Sequence, residues 1–259
     1  MLPVAGSGPG GGPYTRAMAT LDHAPPAGAP GAPGFWWRAL SPIGAVILAF
    51  ACAVVGAGIL SATSLSTDSA GAVLAFVTSG LILLFALVLW RGLPEHERRG
   101  AVAVKRGGVR RAVGVGAAVG AGIIVGAGII IAVGSAIDPV VERRIEDVED
   151  IGTAPWQLVL TICALVVLAP LGEELLFRGL LLRALVRRMR FWPAALLSSA
   201  LFASAHLDAY LLWPRAIALI GTGVALAWIN RRRGYWASVA AHATVNTVAS
   251  IALVITSSS

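Results

Sequence analysis

The chain has 259 residues, 57% of them hydrophobic and only 13% charged, and its mean hydropathy of +0.81 excludes an ordinary soluble domain. The formal net charge of +7 does not argue for nucleic acid, because the basic residues cluster in loops beside apolar runs and line no aromatic-studded groove. The reading is an all-α polytopic membrane protein whose partner is the lipid bilayer, with basic loops setting its topology.

Residues 1–34 form a Gly/Pro/Ala tract ("GSGPGGGP", "APPAGAPGAPG") that cannot bury a core and reads as a disordered tail. No cationic start precedes a short apolar run there, so it is not a signal peptide. Apolar runs follow at Ile43–Leu60, Ala70–Trp90, Ala112–Ile137, Trp156–Leu171, Trp192–Leu207, Leu211–Asn230 and Trp236–Ile255. Each approaches the ~20 residues that cross a hydrocarbon core, which predicts seven transmembrane helices, or eight. The third run carries glycines four apart, Gly116 with Gly120 and Gly122 with Gly126, a spacing that suits close helix approach. Cys52 and Cys163 lie in apolar runs and predict no disulfide.

Between Arg91 and Arg111 there are seven basic residues against two acidic, whereas Asp138 to Asp150 holds six acidic against two basic. The first loop is therefore expected in the cytoplasm and the second outside, and "RALVRRMR" and "NRRRG" return to the cytoplasm. This orientation puts the N-terminus inside. Lys105 is the only lysine beside 19 arginines, a bias attributed to a GC-rich bacterial genome and hence to a bacterial plasma membrane. Trp90, Trp192 and Trp236 are read as interfacial, and Asp208, Tyr210 and Trp213 as marking the outer interface.

The fourth run continues into "LAPLGEELLFRGLLLR". Charge at membrane depth costs roughly 2.5–3.5 kcal/mol per group and marks function by default. Glu174 and Arg178 are four apart with the acid first, the favourable ion-pair order. Glu173 is turned about 100° away and has no such partner, which leaves it available. Taken as straight α-helices, the segments place Glu173 and His206 roughly 22 Å from the cytoplasmic surface, Asn246 roughly 20 Å and His242 roughly 13 Å. The bland alternatives are a Glu–Arg tie between helices and interhelical hydrogen bonds from His or Asn, worth about 0.6 kcal/mol each. The gathering of four such groups near one depth outweighs them.

A carboxylate and an imidazole facing a cavity can take a proton from water, while a second imidazole and an amide NH2 can hold an oxyanion. That set describes an amide hydrolase without a covalent nucleophile. The other chemistry open to these residues is a zinc site with Glu173, His206 and His242 as ligands and water in fourth place, a metalloprotease.

"EELLFR" resembles an EExxxR motif, "FASAH" an FxxxH motif and "HATVN" an HxxxN motif, in the order found in the CPBP intramembrane proteases, also called CaaX-protease or Abi proteins and including the Rce1-type prenyl-protein endopeptidases. The resemblance covers roughly Trp156 to Ile255. It sets residues 156–257 as the catalytic region and 35–155 as additional helices and loops. It implies an Rce1-like helical bundle with an intramembrane cavity, in which Glu173 and His206 activate water and His242 and Asn246 stabilise the oxyanion. Glu174, Arg178 and Phe202 would be structural support. The expected activity is endoproteolysis of a membrane-associated peptide or protein, with no cofactor required and zinc as the alternative. A catalytically idle scaffold or bacteriocin-immunity protein is the second reading. A transporter is third, since polar residues gather only in the C-terminal half and no inverted repeat is evident.

Overall fold

The computed structural model describes residues 34–105, 107–138, 140–141, 154–206 and 212–257. The N-terminal tract, most of the acidic loop and the segment holding Asp208 and Tyr210 lie outside the described residues. Those described form helices α1 (Phe35–Ser61), α2 (Thr67–Arg91), a short α3 (Glu95–Ala101), α4 (Gly108–Ile137), α5 (Pro155–Leu185), α6 (Phe191–Ser204), α7 (Trp213–Arg233) and α8 (Tyr235–Ser257). Among the described residues there is no strand, only an isolated bridge between Val104 and Gly234.

Five helices, α1, α2, α4, α5 and α8, are long and apolar enough to cross a membrane. The expected count of seven needs α6 and α7 to cross as well. α6 has 14 residues and stops at Ser204, about 21 Å of helix against the ~30 Å of a hydrocarbon core. α7 has 21 residues but carries Arg215 near its start and Arg231–Arg233 at its end, which shortens its apolar stretch. α1 and α4 leave most of their apolar surface uncovered, including Val54, Ile59, Val125 and Ile129, as lipid-facing helices do.

α5 is the central element, packed against α1, α2, α3, α6 and α8, while α4 packs on α7 and α8. Small residues set the second contact. A Cβ on Gly116 would strike the Ala237 carbonyl, and one on Gly120 would come within 2.6 Å of the Ala241 carbonyl. Gly122 and Gly126, by contrast, face open space, so only one of the two glycine pairs read from the spacing serves helix approach.

The three basic segments meet at one end of the bundle. Arg187 pairs with Glu97 at 3.1 Å, Arg183 donates to the Gly100 carbonyl at 3.1 Å, and Lys105 donates to the Arg231 carbonyl at 3.2 Å. The turn between α7 and α8 is fastened to the same loop: Tyr235 N–H reaches the Ala103 carbonyl at 3.1 Å, and Gly234 adopts φ +96°, open only to glycine, with its α-carbon against that carbonyl. Trp90 and Trp236 sit at this end and Trp213, bonded to Asp138 at 3.3 Å, at the other. One basic end is what a positive-inside topology requires.

Two outcomes follow. Gly116→Val and Gly120→Val each cost about 1–3 kcal/mol through overpacking, whereas Gly122→Val and Gly126→Val leave thermal unfolding in detergent nearly unchanged. Burial, reinforced by Arg183 and Arg231, pushes the Lys105 amine down to about 8 from 10.5. Its acylation, followed by peptide mass mapping, rises through a midpoint near pH 8. The folded chain releases this proton before the unfolded chain does, so stability rises between about pH 8 and 10.5 and the cost of charging the amine is fully present below that window.

Candidate active site

α5 is not a uniform α-helix. Two π-helical stretches, Cys163–Leu168 and Glu174–Leu181, interrupt it. Such i→i+5 turns release backbone carbonyls from the regular ladder and recur at functional sites, and neighbouring helices supply the donors here. Asn246 Nδ2 of α8 donates to the Leu165 carbonyl at 2.7 Å, and Ser198 Oγ of α6 donates to the Phe177 carbonyl at 3.1 Å. Between the two stretches, Tyr235 Oη donates to the Leu171 carbonyl at 2.8 Å.

Glu174 and Arg178 form the expected i,i+4 pair at 3.0 Å, with side chains 0% and 1% exposed. Arg178 extends further, donating to the Gly223 carbonyl of α7 at 3.2 Å and lying 4.5 Å from the Phe202 ring centroid on α6. On the other side of Glu174, His242 Nδ1 sits 3.1 Å from the same Oε1 that Arg178 holds. A carboxylate only accepts, so Nδ1 carries the hydrogen. Nε2 then faces Glu173, whose Oε2 is 3.8 Å away. That Oε2 is buried without a hydrogen-bond partner.

Phe202 links the two imidazoles. Its ring centroid is 5.7 Å from that of His242 and 4.8 Å from that of His206, and Phe177 packs edge-on against it at 5.4 Å. His206 follows the end of α6, and its Nδ1 lies 2.9 Å from the Phe202 carbonyl, which also accepts the Ala205 N–H in the last turn. The carbonyl again fixes the hydrogen on Nδ1, so in the neutral ring Nε2 holds the basic lone pair.

Several expectations need correction. Straight-helix arithmetic separates Glu173 and His242 by about 9 Å in depth, yet they face each other across 3.8 Å. The π-helical turns between Glu173 and the arginine-rich end fit more residues into each turn, so the arithmetic overstates the length. His206 lies just beyond the end of α6 and not inside the helix. The amide of Asn246 already spends one N–H on Leu165. Among the described residues no three His, Cys, Asp or Glu side chains converge to hold a metal, Glu173, His206 and His242 included, while the Nδ1 contacts of both histidines leave Nε2 open.

The sequence reading missed Tyr235, Ser238 and Ser198. Ser238, fully buried, accepts from Asn230 at 3.1 Å and donates to the Tyr235 carbonyl at 2.9 Å. The signal was present, since Tyr235, Ser238, His242 and Asn246 follow i, i+3, i+7, i+11 spacing and make one polar stripe on α8. Ser198 had no such signal, because its acceptor is created by the π-helical turn.

The model of the family of type II CAAX prenyl endopeptidase Rce1-like proteins matches residues 155–248. This stretch is similar to the Rce1-like family. It starts at the first turn of α5 and ends within α8, enclosing Glu173, Glu174, Arg178, Phe202, His206, His242 and Asn246. The Rce1-like family is one of membrane-embedded proteases, and α1 to α4 lie outside the match. No curated protein and no solved structure matches the chain.

The two adjacent glutamates are predicted to respond differently to loss. Glu174→Ala strands Arg178 in a dry site and costs about 3–5 kcal/mol. Glu173→Ala removes a carboxylate whose Oε2 makes no hydrogen bond and leaves unfolding within about 1 kcal/mol. Thermal melts of both variants in one detergent check the contrast, and equal loss would reject it.

Proposed function

We propose that the chain is an intramembrane endopeptidase that hydrolyses a peptide bond of a membrane-associated peptide or protein by direct attack of water. The observation that carries this reading is the buried, unpartnered Glu173 Oε2 facing His242 Nε2 across 3.8 Å. That gap is too long for a hydrogen bond and suits a bridging water. Glu173 takes the proton of the attacking water, assisted by the Nε2 lone pair of His206, and returns it to the leaving amine as the C–N bond breaks. His242 and the second N–H of Asn246 then meet the oxyanion. Glu174 holds His242 from behind and fixes its tautomer, as the orienting acid of a catalytic histidine does. To donate to the oxyanion, His242 needs a hydrogen on Nε2 as well as the one on Nδ1.

No step is assigned to a metal. The basic end of the bundle is placed in the cytoplasm with the N-terminus, and substrate approaches from that side. A bacterial plasma membrane remains the proposed location.

One observation favours a second reading, a catalytically idle scaffold. His206 and Asn246 are both bonded to backbone carbonyls, as purely structural groups would be. Comparing membrane peptides released by the wild-type chain and by Glu173→Gln separates the two. A protease loses its cleavage products in the variant, while a scaffold shows the same peptides in both. Asn246→Ala is expected to lower turnover by about 10²–10³ with substrate binding nearly intact. Elemental analysis checks the metal-free mechanism: about one zinc per chain, lost and regained together with activity, would overturn it.

A further inference from the structure

At the arginine-rich end, the last turns of α5, the start of α6 and the end of α7 enclose a pocket of about 460 Å³. Seven of its twelve lining residues are Lys or Arg and none is acidic. Like charges repel, so the way each is held shows whether the pocket is neutralised. Arg183 and Lys105 donate to backbone carbonyls, of Gly100 and Arg231, and the Arg231 guanidinium lies 4.4 Å from the Phe191 ring centroid. These contacts orient the cations and cancel none of their charge.

Two carboxylates pair with lining residues from outside the pocket, and both are shared. Glu97 serves Arg187 at 3.1 Å and Arg38 at 3.0 Å. Glu174 is divided between Arg178 and His242. Arg178, 1% exposed and part of the lining, also keeps a buried Nε with no hydrogen-bond partner. The amine of Lys105, pushed down by burial and by Arg183 and Arg231, fits a cationic space lacking its counterion.

We propose that this pocket binds a phosphate group, either an acidic phospholipid headgroup or a free phosphate ion, through Arg183, Arg188, Arg231 and Lys105. Guanidinium forks match phosphate oxygens in pairs, and basic pockets between membrane helices receive anionic headgroups. The same lining carries Leu182, Val186, Met189 and Phe191, an apolar wall beside the charges where the start of an acyl chain can lie. The four cations named are outside the Glu173 chemistry, although Arg178 in the lining pairs with Glu174, and the proposal holds whether or not the chain is a protease.

The chain's single lysine makes a clean reporter. The full chain in neutral maltoside detergent is acylated at pH 8 with short-chain phosphatidylglycerol, short-chain phosphatidylcholine or inorganic phosphate, at matched ionic strength. A bound anion both covers Lys105 and raises its pKa, and a rise of one unit from about 8 slows acylation about five-fold. Slowing by phosphatidylglycerol alone assigns the site to a lipid headgroup, by phosphate alone to the free ion, and by both to the phosphate group itself. Arg188→Gln and Arg231→Gln, tested separately so that one suffices if the other misfolds, should abolish the slowing, and Arg232→Gln, outside the lining, should keep it. No slowing, equal slowing by phosphatidylcholine, or equal loss in Arg232→Gln would overturn the proposal.

Discussion

The Glu174 carboxylate is the constraint around which the C-terminal half is arranged. A charge with no exposure must be matched by partners that are themselves held, and Oε1 takes both, Arg178 from its own helix and His242 from α8. Arg178 passes the constraint on through the Gly223 carbonyl and the Phe202 face. One buried carboxylate thereby sets α5, α6, α7 and α8 relative to one another. It also leaves its neighbour Glu173 outside the pairing.

The π-helical turns of α5 extend the same logic to the backbone. A membrane helix normally satisfies its own carbonyls, and loosening that ladder is tolerated only where other groups replace the lost bonds. Asn246 and Ser198 do so within the two stretches and Tyr235 between them. The polar residues of α8 therefore have two kinds of work on one stripe, with His242 addressing carboxylates and its neighbours addressing backbone. Close approach of α4 to α8 at Gly116 and Gly120 backs this stripe from the far side.

At the basic end, charge is arranged with less cancellation than at Glu174. Arginines there rest on carbonyls and rings, and two shared carboxylates answer for several guanidinium groups. A buried ion pair that closes on itself suits an interior. An uncancelled cluster at a membrane boundary suits an external anion.

Much of this was legible in the chain itself. Composition and the length of apolar runs determine a helical membrane protein, because a bilayer permits few other ways to satisfy a backbone. Local spacing determines the Glu174–Arg178 pair and the shared face of His242 and Asn246, since i,i+4 geometry is intrinsic to a helix. The starts of α6 and α8 follow from where the basic segments end. What needed tertiary structure were quantities that depend on a second element. Linear spacing cannot show that His242 divides itself between two adjacent glutamates, that α6 stops short of His206, or that one glycine pair meets a helix while the other faces open space. Nor can it show where α5 loosens into π-helical turns, because that depends on other helices supplying groups that donate to the freed carbonyls, and those donors lie 64 or more residues away for Tyr235 and Asn246.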